Sequence, residues 1–429
     1  MIKVIKNKNS EDKKFIEKLL KRNQLEIEKI NNQVKDILYQ VKTYKDEALK
    51  KYTKEFDGVW IEDFLVSKYE MEEAMNNINT QLKEDLINIK ENIEIYHKKQ
   101  LKKSYFIEKE NTILGQIIKP IEKVGVYVPG GKAAYPSTVL MNVVPAKIAG
   151  VKEIIMITPP DKDGNIKDSI LAAAHISGVD KIYKVGGAQG IGALAFGTES
   201  IPKVDKITGP GNIYVTIAKK QLFGYVGIDM LAGPSEILII ADKWANPKYI
   251  AADLISQAEH DERAAAILVT SWEPIVKEVL YQIELQIKHN DRKEVIKKAL
   301  KNYSAIIITD SLEESIEIAN EIAPEHLEIL TENPFDIYKN IKNAGAIFLG
   351  EYSPEPLGDY FAGTNHILPT SSTSRFSSPL SVDDFIKKTS LIYYDKEALM
   401  KSKDCIIRMA KEEGLPGHAN SIKIRFEEM

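Results

Sequence analysis

From Val124 onwards the chain alternates short apolar runs with stretches of helical length, and this alternation limits the possible folds more than any other feature. Runs rich in Ile and Val, five or six residues long, have the composition of buried parallel strands. These predicted strands span residues 124–128, 153–158, 181–185, 236–240, 265–270 and 304–309. Helices are predicted over residues 137–149, 169–177, 247–259, 274–288 and 312–322. The sequence therefore predicts an α/β protein with doubly wound sheets.

Two further changes in residue composition and periodicity divide the chain. Up to about Lys119 it is rich in Lys, Glu, Ile, Leu and Asn with helical periodicity, and around residues 229–236 the strand–helix rhythm is interrupted. Residues 351–380 form a long loop region, and a helix-rich segment follows it. We expect two doubly wound lobes with helical N-terminal and C-terminal extensions.

Charge, cysteine content and hydropathy exclude several classes of protein. The 58 basic and 62 acidic residues nearly balance, so nucleic acid is not an expected partner. The single cysteine, Cys405, excludes a multi-thiolate zinc site, and a metal here must use mainly nitrogen and oxygen ligands. We find no secretion signal and no apolar stretch long enough to span a bilayer, so we expect a cytoplasmic protein without membrane contact.

Four of the seven histidines lie within seven residues of a carboxylate, where helix or strand patterns break: His260, His326, His366 and His418. Gln257 and His260 are three residues apart, so on a helix both point to one face and could share a ligand or a cation. Glu325 and His326 are adjacent, their side chains diverge, and we expect different roles for them. One such histidine alone is more often structural, but four together favour a functional site.

Glycine-rich loops follow two of the predicted strands, those ending at Val128 and Val185, and a third lies at residues 208–212. The segment around Gln189 places closely spaced glycines at a helix N-terminus, where a phosphate could bind. Thr208-Gly-Pro-Gly-Asn212 and Val128-Pro-Gly-Gly131 are further tight turns at the edge where α/β sheets bind ligands. Neither the G-x-G-x-x-G fingerprint nor a P-loop is present, and plain turn geometry is the alternative interpretation.

Eight longer segments resemble histidinol dehydrogenase in order and spacing. They are Pro129-Gly-Gly, Tyr135-Pro-Ser-Thr-Val-Leu-Met, Ala195-Phe-Gly-Thr-Glu-Ser, Lys203-Val-Asp-Lys-Ile-Thr-Gly-Pro-Gly-Asn212, Ala232-Gly-Pro-Ser-Glu236, Asp253-Leu-Ile-Ser-Gln-Ala-Glu-His260, Ala323-Pro-Glu-His-Leu327 and Gly358-Asp-Tyr-Phe-Ala-Gly-Thr-Asn-His366. The resemblance covers essentially the whole chain. It implies NAD-dependent, four-electron oxidation of L-histidinol via L-histidinaldehyde to L-histidine, the final steps of histidine biosynthesis. It also implies incomplete Rossmann-like lobes, which explains the missing glycine fingerprint.

The same resemblance implies a site, residue by residue. One zinc ion per subunit would be held by Gln257, His260, Asp359 and His418, and the catalytic pair would be Glu325 and His326. Substrate contacts would come from Ser235, His366 and Glu413, together with His326 and the four zinc ligands. NAD contacts would come from Tyr127, Gln189 and Asn212.

The resemblance further implies a homodimer with shared active sites, in which a C-terminal tail crosses to the partner subunit. The expected domains are an N-terminal helical extension (1–25), a first α/β lobe with most of the zinc and catalytic site (26–122 with 236–374), an NAD-binding α/β lobe (123–235) and a C-terminal helical tail (375–429).

Three other functions compete with this interpretation. A zinc hydrolase would need no dinucleotide loops and would usually show a compact H-E-x-x-H motif, which the sequence lacks. A dehydrogenase for another polyol or amino alcohol would not need His366 and Glu413. A non-catalytic NAD-binding protein would be expected to lack Glu325, His326 or a zinc ligand, and none of these is missing.

Overall fold

The structure is a computed structural model that describes residues 2–6, 27–130 and 134–427. The chain forms two compact units, one of residues Met1–Gln100 with Ile121–Phe385 and one of residues Leu101–Pro120 with Ile386–Met429. The strands of the described part are β1 (Lys3–Ile5), β2 (Tyr105–Lys109), β3 (Thr112–Pro120), β4 (Lys123–Tyr127), β5 (Glu153–Thr158), β6 (Lys181–Lys184), β7 (Lys206–Thr208), β8 (Gly227–Ile228), β9 (Glu236–Ala241), β10 (Ala265–Thr270), β11 (Ala305–Ile308), β12 (His326–Leu330), β13 (Ala346–Leu349) and β14 (Ile386–Tyr394).

The helices of the same residues are α1 (Ile27–Phe56), α2 (Lys68–Asn77), α3 (Thr80–Lys98), α4 (Pro136–Ala149), α5 (Asp168–Ser177), α6 (Gly187–Phe196), α7 (Ile213–Leu222), α8 (Pro247–Ala258), α9 (Ile275–Ile287), α10 (Lys293–Asn302), α11 (Leu312–Ile322), α12 (Pro334–Ile337), α13 (Glu355–Tyr360), α14 (Lys396–Glu412) and α15 (Pro416–Lys423). None of these helices is both long and apolar enough to cross a lipid bilayer.

A six-stranded parallel sheet in the order β1-β11-β10-β9-β12-β13 forms one half of the first unit. Its central strands β9 and β10 are buried at every residue, because helices cover both faces. One face packs around Leu254 and Ile296, and the other packs around Ile316 and Ile329. The strand order requires crossovers in both directions from β9, as in a doubly wound sheet.

A five-stranded parallel sheet in the order β6-β5-β4-β7-β8 forms the other half. Helix α1 packs on one face through Val34 and Leu49, in the same apolar cluster as Ile155 of β5. On the other face lies α4, which begins with Pro136 at its first turn and ends at Gly150 in a left-handed conformation. Thr138 of this helix contacts His366 of the candidate active site described below.

The second unit is built on a three-stranded antiparallel sheet in the order β14-β3-β2. Ile386 pairs with Pro120 and Tyr394 with Thr112, so β14 runs along the whole of β3. Asp395 then caps α14 by accepting a 2.8 Å hydrogen bond from the Ala398 backbone N–H.

The fold class predicted from the sequence is confirmed, with every predicted strand and helix of the α/β region present. The extensions differ from the prediction, because β2, β3 and β14 lie in segments for which helices are predicted. The β14 sequence is rich in β-branched and aromatic residues, and its pairing with β3 favours the strand. The helical extension predicted over residues 1–25 is described only at residues 2–6, where Lys3–Ile5 is a strand. The domain limits stay a prediction.

Candidate active site

The catalytic pair predicted from the sequence lies at the amino end of β12. His326 is the first residue of β12, and Glu236 is the first residue of the neighbouring strand β9. The two strands are parallel, with His326 opposite Ile237, so their amino ends meet at one edge of the sheet. Doubly wound sheets usually bind ligands at the carboxyl ends of their strands, and this group lies at the opposite edge.

His326 presents a proton acceptor that has no hydrogen-bond partner in the described part of the chain. Its Nδ1 lies 3.1 Å from the Glu236 carbonyl oxygen, which can only accept, so Nδ1 carries the proton and donates it. The other ring nitrogen, Nε2, is buried and has no hydrogen-bond partner among the described residues. Burial lowers the pKa of His326 to about 4, while the nearby Asp359 carboxylate acts in the opposite direction. The imidazole is therefore neutral at pH 7, with a free lone pair on Nε2.

Glu325 approaches the other side of the same ring. Its Oε2 accepts a 2.8 Å hydrogen bond from the Glu236 N–H and lies 3.6 Å from His326 Nδ1. One peptide segment at Glu236 thus fixes both side chains, through its N–H and its carbonyl. The carboxylate faces Nδ1 and leaves Nε2 open, so the expectation that the two side chains serve different roles is consistent with this geometry.

Hydrogen bonds from the long loop stabilise the turn that precedes Glu325 and His326. Ala323 ends α11 in a left-handed conformation with φ of 52°, which disfavours a residue with a Cβ. Ser374 donates a 2.8 Å hydrogen bond to the Ala323 carbonyl, and Ser372 donates a 2.7 Å bond to the Ile322 carbonyl. Residues of the long loop therefore stabilise the turn that positions Glu325 and His326.

Glu355 is a site residue that the sequence analysis does not single out. It lies four positions before Asp359 on α13, so both carboxyl groups project from one helix face. Its Oε1 lies 3.9 Å from His326 Nε2. Burial and the Asp359 carboxylate raise the pKa of Glu355 to about 10, so Glu355 holds a proton at pH 7. The Glu-x-x-x-Asp spacing is the signal that could have identified it.

Glu355, Asp359 and His326 also form a group suited to a cation. Each offers one ligand atom, and these atoms lie within 4.8 Å of one another. The group shares Asp359 with the zinc ligands predicted from the sequence, which stay a prediction.

Behind this group lies a pair of carboxyl groups, the half-buried Asp253 on α8 and the buried Glu328 on β12. Glu328 accepts a 2.8 Å hydrogen bond from the Glu355 N–H. Burial and the neighbouring Asp253 raise the pKa of Glu328 well above its usual range, and burial raises that of Asp253 to about 6. The pair joins α8 to β12 one helical turn before Gln257, and so helps to fix the helix face that carries Gln257.

Gln257 lies on α8 and is completely buried. Neither its Oε1 nor its Nε2 has a hydrogen-bond partner among the described residues. A buried amide without partners is costly and rare, which favours a ligand that the chain itself does not supply. His260 follows on the turn after α8 and is exposed, and it lies close enough to His326 and His366 to lower the pKa of both.

His366 links this site to α4. Its Nδ1 donates a 3.0 Å hydrogen bond to the Asp359 carbonyl, so its Nε2 accepts from the Thr138 hydroxyl at 3.2 Å. Burial lowers the pKa of His366. Ser235, also predicted to contact substrate, immediately precedes Glu236 and is half-buried. Of the predicted residues, Glu413 and His418 belong to the second unit, where both are exposed, at the end of α14 and on α15.

The three residues predicted to contact NAD line a single cavity of about 910 Å³. Tyr127 ends β4, Gln189 lies in the first turn of α6, and Asn212 precedes α7, so the cavity lies at the carboxyl edge of the five-stranded sheet. Its volume is in the range of small-molecule sites. Thr138, whose hydroxyl contacts His366, comes eight positions after Gly130 of the cavity wall. The chain between these two residues can span at most about 29 Å, so the cavity and the contact with His366 lie within that distance.

Two glycines at or beside this cavity lie in close contact with the ring of Pro159, which lines it. A Cβ added at Gly130 or at Gly186 would lie 2.6 Å from a ring carbon of Pro159, so both positions require glycine. Asn212 Oδ1 accepts from the Tyr214 and Val215 N–H groups at 3.0 and 3.2 Å, which commits the oxygen to the helix cap. Gln189 is buried, and its Oε1 has no hydrogen-bond partner among the described residues. Gly131 of the predicted turn lies outside those residues.

Asp57 also lines the cavity, and it makes the fold less stable at neutral pH. Burial raises the pKa of Asp57 to about 6, from an ordinary value of 3.8. The folded protein therefore holds a proton that the unfolded chain loses between those values, and stability falls as the pH rises through this window.

We expect Asp57→Asn to raise the melting temperature at pH 8 by roughly 2 °C or more, and the gain to disappear near pH 4. Differential scanning calorimetry at both pH values checks this, and an unchanged or lower melting temperature at pH 8 would contradict it.

Comparison with known proteins agrees with the resemblance inferred from the sequence. A family model described as histidinol dehydrogenase matches residues 20–426. Histidinol dehydrogenase of Clostridium acetobutylicum is 55% identical over 428 residues, 100% of this chain and 99% of that protein. That of Bacillus cereus is 55% identical over 402 residues, 94% of each chain. The crystal structure of histidinol dehydrogenase from Elizabethkingia anophelis superposes with a TM-score of 0.88 at 43% identity, covering 92% of this chain and 91% of that one. The chain therefore belongs to the histidinol dehydrogenase family, the oxidoreductases of histidine biosynthesis.

Proposed function

We propose that the protein oxidises L-histidinol through L-histidinaldehyde to L-histidine, using NAD⁺ and a bound zinc ion. The observation that carries this proposal is the neutral, buried His326, whose Nε2 has no hydrogen-bond partner among the described residues and lies on the side of the ring away from Glu325. Such a pair provides one base for a hydroxyl and one carboxylate for water. Membership of an oxidoreductase family argues against the zinc-hydrolase alternative.

His326 serves as the base of the first oxidation. An alcohol releases hydride only as its proton leaves, so a proton acceptor must lie within hydrogen-bond reach of the hydroxyl. Nε2 of His326 is the acceptor, because Nδ1 already donates to the Glu236 carbonyl. The ring cannot rotate without losing that bond. NAD⁺, when bound, supplies the acceptor for the hydride.

Glu325 serves in the second oxidation, in which water must add to the aldehyde. A carboxylate fixed by the Glu236 N–H can orient a water molecule and remove its proton. The proton from the first step must leave His326 before the second. Glu355, already protonated and 3.9 Å from Nε2, can relay it by accepting it on one carboxyl oxygen while releasing its own proton to water.

The residues of the site fit a zinc ion. Gln257, His260 and Asp359 supply one amide, one imidazole and one carboxylate, a set without thiolate, and His418 would complete it. Both polar atoms of the Gln257 amide lack hydrogen-bond partners among the described residues, which supports the binding of a ligand at that position. Zinc held there would orient the substrate through its amine and imidazole. Orientation of this kind can lower a barrier by roughly 7–11 kcal/mol in well-arranged systems.

We also propose that two copies of the chain share these sites, with His418 and Glu413 of one copy acting in the other. The second unit carries large exposed apolar side chains along β2 and β14, which supports an interface there: Tyr105, Phe106, Ile107, Ile392, Tyr393 and Tyr394. Exchange of a terminal element between identical chains is a low-cost route to a two-fold dimer.

Removal of the metal tests the zinc proposal. We expect prolonged chelation to abolish NADH formation from histidinol and added Zn²⁺ to restore it, while the melting temperature changes little, because the apolar cores do not depend on the site. Metal content is followed by mass spectrometry alongside turnover, and NADH is counted per histidinol consumed.

A variant makes the same test independent of activity. Gln257→Leu has a similar volume and removes both unpartnered amide atoms, so it should fold but retain zinc more weakly in a competition with a chromogenic chelator. Native turnover by the metal-free protein, or native zinc affinity in Gln257→Leu, would show that the ligand set is wrong.

A further inference from the structure

The cavity that contains Tyr127, Gln189 and Asn212 is acidic. Among the residues that the structure describes, four carboxyl groups line it, those of Asp36, Glu55, Asp57 and Asp161, against one ammonium group, that of Lys162. A dinucleotide carries its own negative charge, so a surplus of carboxylates in its site requires a chemical reason. The groups of a dinucleotide that can donate hydrogen bonds to a carboxylate are its ribose hydroxyls and the amino groups of adenine and nicotinamide.

Among these four residues, Asp57 is the one that offers a buried and unused acceptor. Its Oδ2 is shielded from solvent and has no hydrogen-bond partner among the described residues, so a ribose hydroxyl would reach the carboxylate from the cavity at Oδ1, or at Oδ2 after a rotation of the side chain. Asp161 uses its Oδ1 to accept from the Asp163 and Asn165 N–H groups of its own loop, each at 2.9 Å. Asp36 and Glu55 are exposed on α1.

The local structure holds Asp57 in place. It immediately follows α1, and its N–H donates a 2.9 Å hydrogen bond to the Thr53 carbonyl of the last turn. Its carboxylate lies close enough to the Tyr127 phenol to contribute to raising the pKa of that group to about 12, a shift caused first by burial. The buried Gln189 amide, with its unpartnered Oε1, lines the same cavity, so one oxygen of each of these two side chains lacks a partner among the described residues.

We propose that Asp57 accepts hydrogen bonds from a ribose of the bound dinucleotide, and that it excludes dinucleotides carrying a 2′-phosphate. This inference rests on the proposed use of NAD⁺. A carboxylate can accept from both hydroxyls of a ribose, whereas a phosphate at the same place would bring two negative groups into contact away from water. Doubly wound proteins often place an acid near the ribose, about 20 residues after a glycine motif. Here the acid comes from the helix before the sheet, which requires no such motif.

Binding of NAD⁺ and NADP⁺ to the zinc-loaded protein tests the proposal, measured by isothermal titration for the natural protein, Asp57→Asn, Asp57→Ala and the control Asp36→Asn. Both Asp57 variants should bind NAD⁺ about 10–100-fold more weakly, because a charge-assisted hydrogen bond is lost. Their preference for NAD⁺ over NADP⁺ should fall by at least about tenfold, because the repulsion disappears as well. Asp36→Asn removes the same charge from an exposed part of the wall and should change either affinity less than about fivefold.

Several outcomes would overturn the inference. An unchanged NAD⁺ preference in the Asp57 variants would do so, and equal effects of Asp57→Asn and Asp36→Asn would assign the preference to the overall charge of the cavity. Circular dichroism separates loss of binding from loss of fold, and the isosteric Asn variant is expected to be the more stable one. If the natural protein bound neither dinucleotide, the proposed cofactor and this inference would both fail. Normal NAD⁺ binding with an indifferent Asp57 would leave the proposed function intact and overturn the inference alone.

Discussion

Replacing Glu325 with Gln is expected to slow oxidation of histidinaldehyde by about 10²–10⁴-fold, and to slow oxidation of histidinol to histidinaldehyde much less. The amide oxygen of Gln can still accept from the Glu236 N–H, so the position of the side chain is preserved while its basicity is lost. Water then lacks its proton acceptor. His326→Asn, by contrast, removes Nε2 and should slow the alcohol step and, through it, the whole reaction.

The two substrates must be supplied separately to observe this division. Pre-steady-state NADH formation from histidinol and from histidinaldehyde, at saturating NAD⁺, gives a rate for each step in each variant. Glu317→Gln makes the same chemical change on the exposed face of α11 and serves as the matched control. An equal loss on both substrates in Glu325→Gln would refute the division of roles.

Two chains that are each inactive should regain activity when mixed. If His418 acts in the partner's site, a heterodimer of His418→Ala and His326→Asn chains has both defects in one site and none in the other. Random exchange between equal amounts makes half of the dimers mixed, so recovery should approach about a quarter of the natural activity. NADH formation after denaturation, mixing and refolding measures this.

A second mixture distinguishes this result from simple refolding. His418→Ala and Glu413→Ala both affect the tail, so every site of their heterodimer contains one damaged tail and no recovery is expected. Native mass spectrometry shows whether heterodimers form. If they form and the His418→Ala and His326→Asn mixture stays inactive, the tail acts within its own chain and the shared site is ruled out.

The parts of the molecule that depend on local sequence could be predicted. Strands such as β9 and β10 are buried on both faces, so their apolar runs stand out, and the turns near Gly130, Gln189 and Asn212 follow such runs at the carboxyl edge. All three loops meet at one cavity, as the position of ligand sites in doubly wound sheets predicts. The Pro-Glu-His segment identified the pair at β12.

The parts that depend on contacts between distant segments could not be predicted. Nothing local shows that His326 lies at the amino edge of its sheet, since that requires the pairing of β12 with β9. Glu355 and Asp359 share a helix face, but prolines at positions 354 and 356 hide the helical pattern. Asp57 is one of 62 acidic residues until its position in the cavity wall distinguishes it. The β14 strand depends on its pairing with β3.

The second unit is built from two segments that are far apart in the chain, and this has a consequence for its folding during synthesis. Strand β3 leaves the ribosome early, but β14, which pairs along its whole length, is encoded in the last part of the chain. Until then β3 has one uncovered edge, in a segment whose partner strand β2 carries exposed Tyr105, Phe106 and Ile107. An unpaired edge beside apolar side chains is prone to association with other chains. Nascent chains on one messenger RNA should therefore be most vulnerable to aggregation before the last strand is made, and chaperones that bind extended apolar segments should act in this interval.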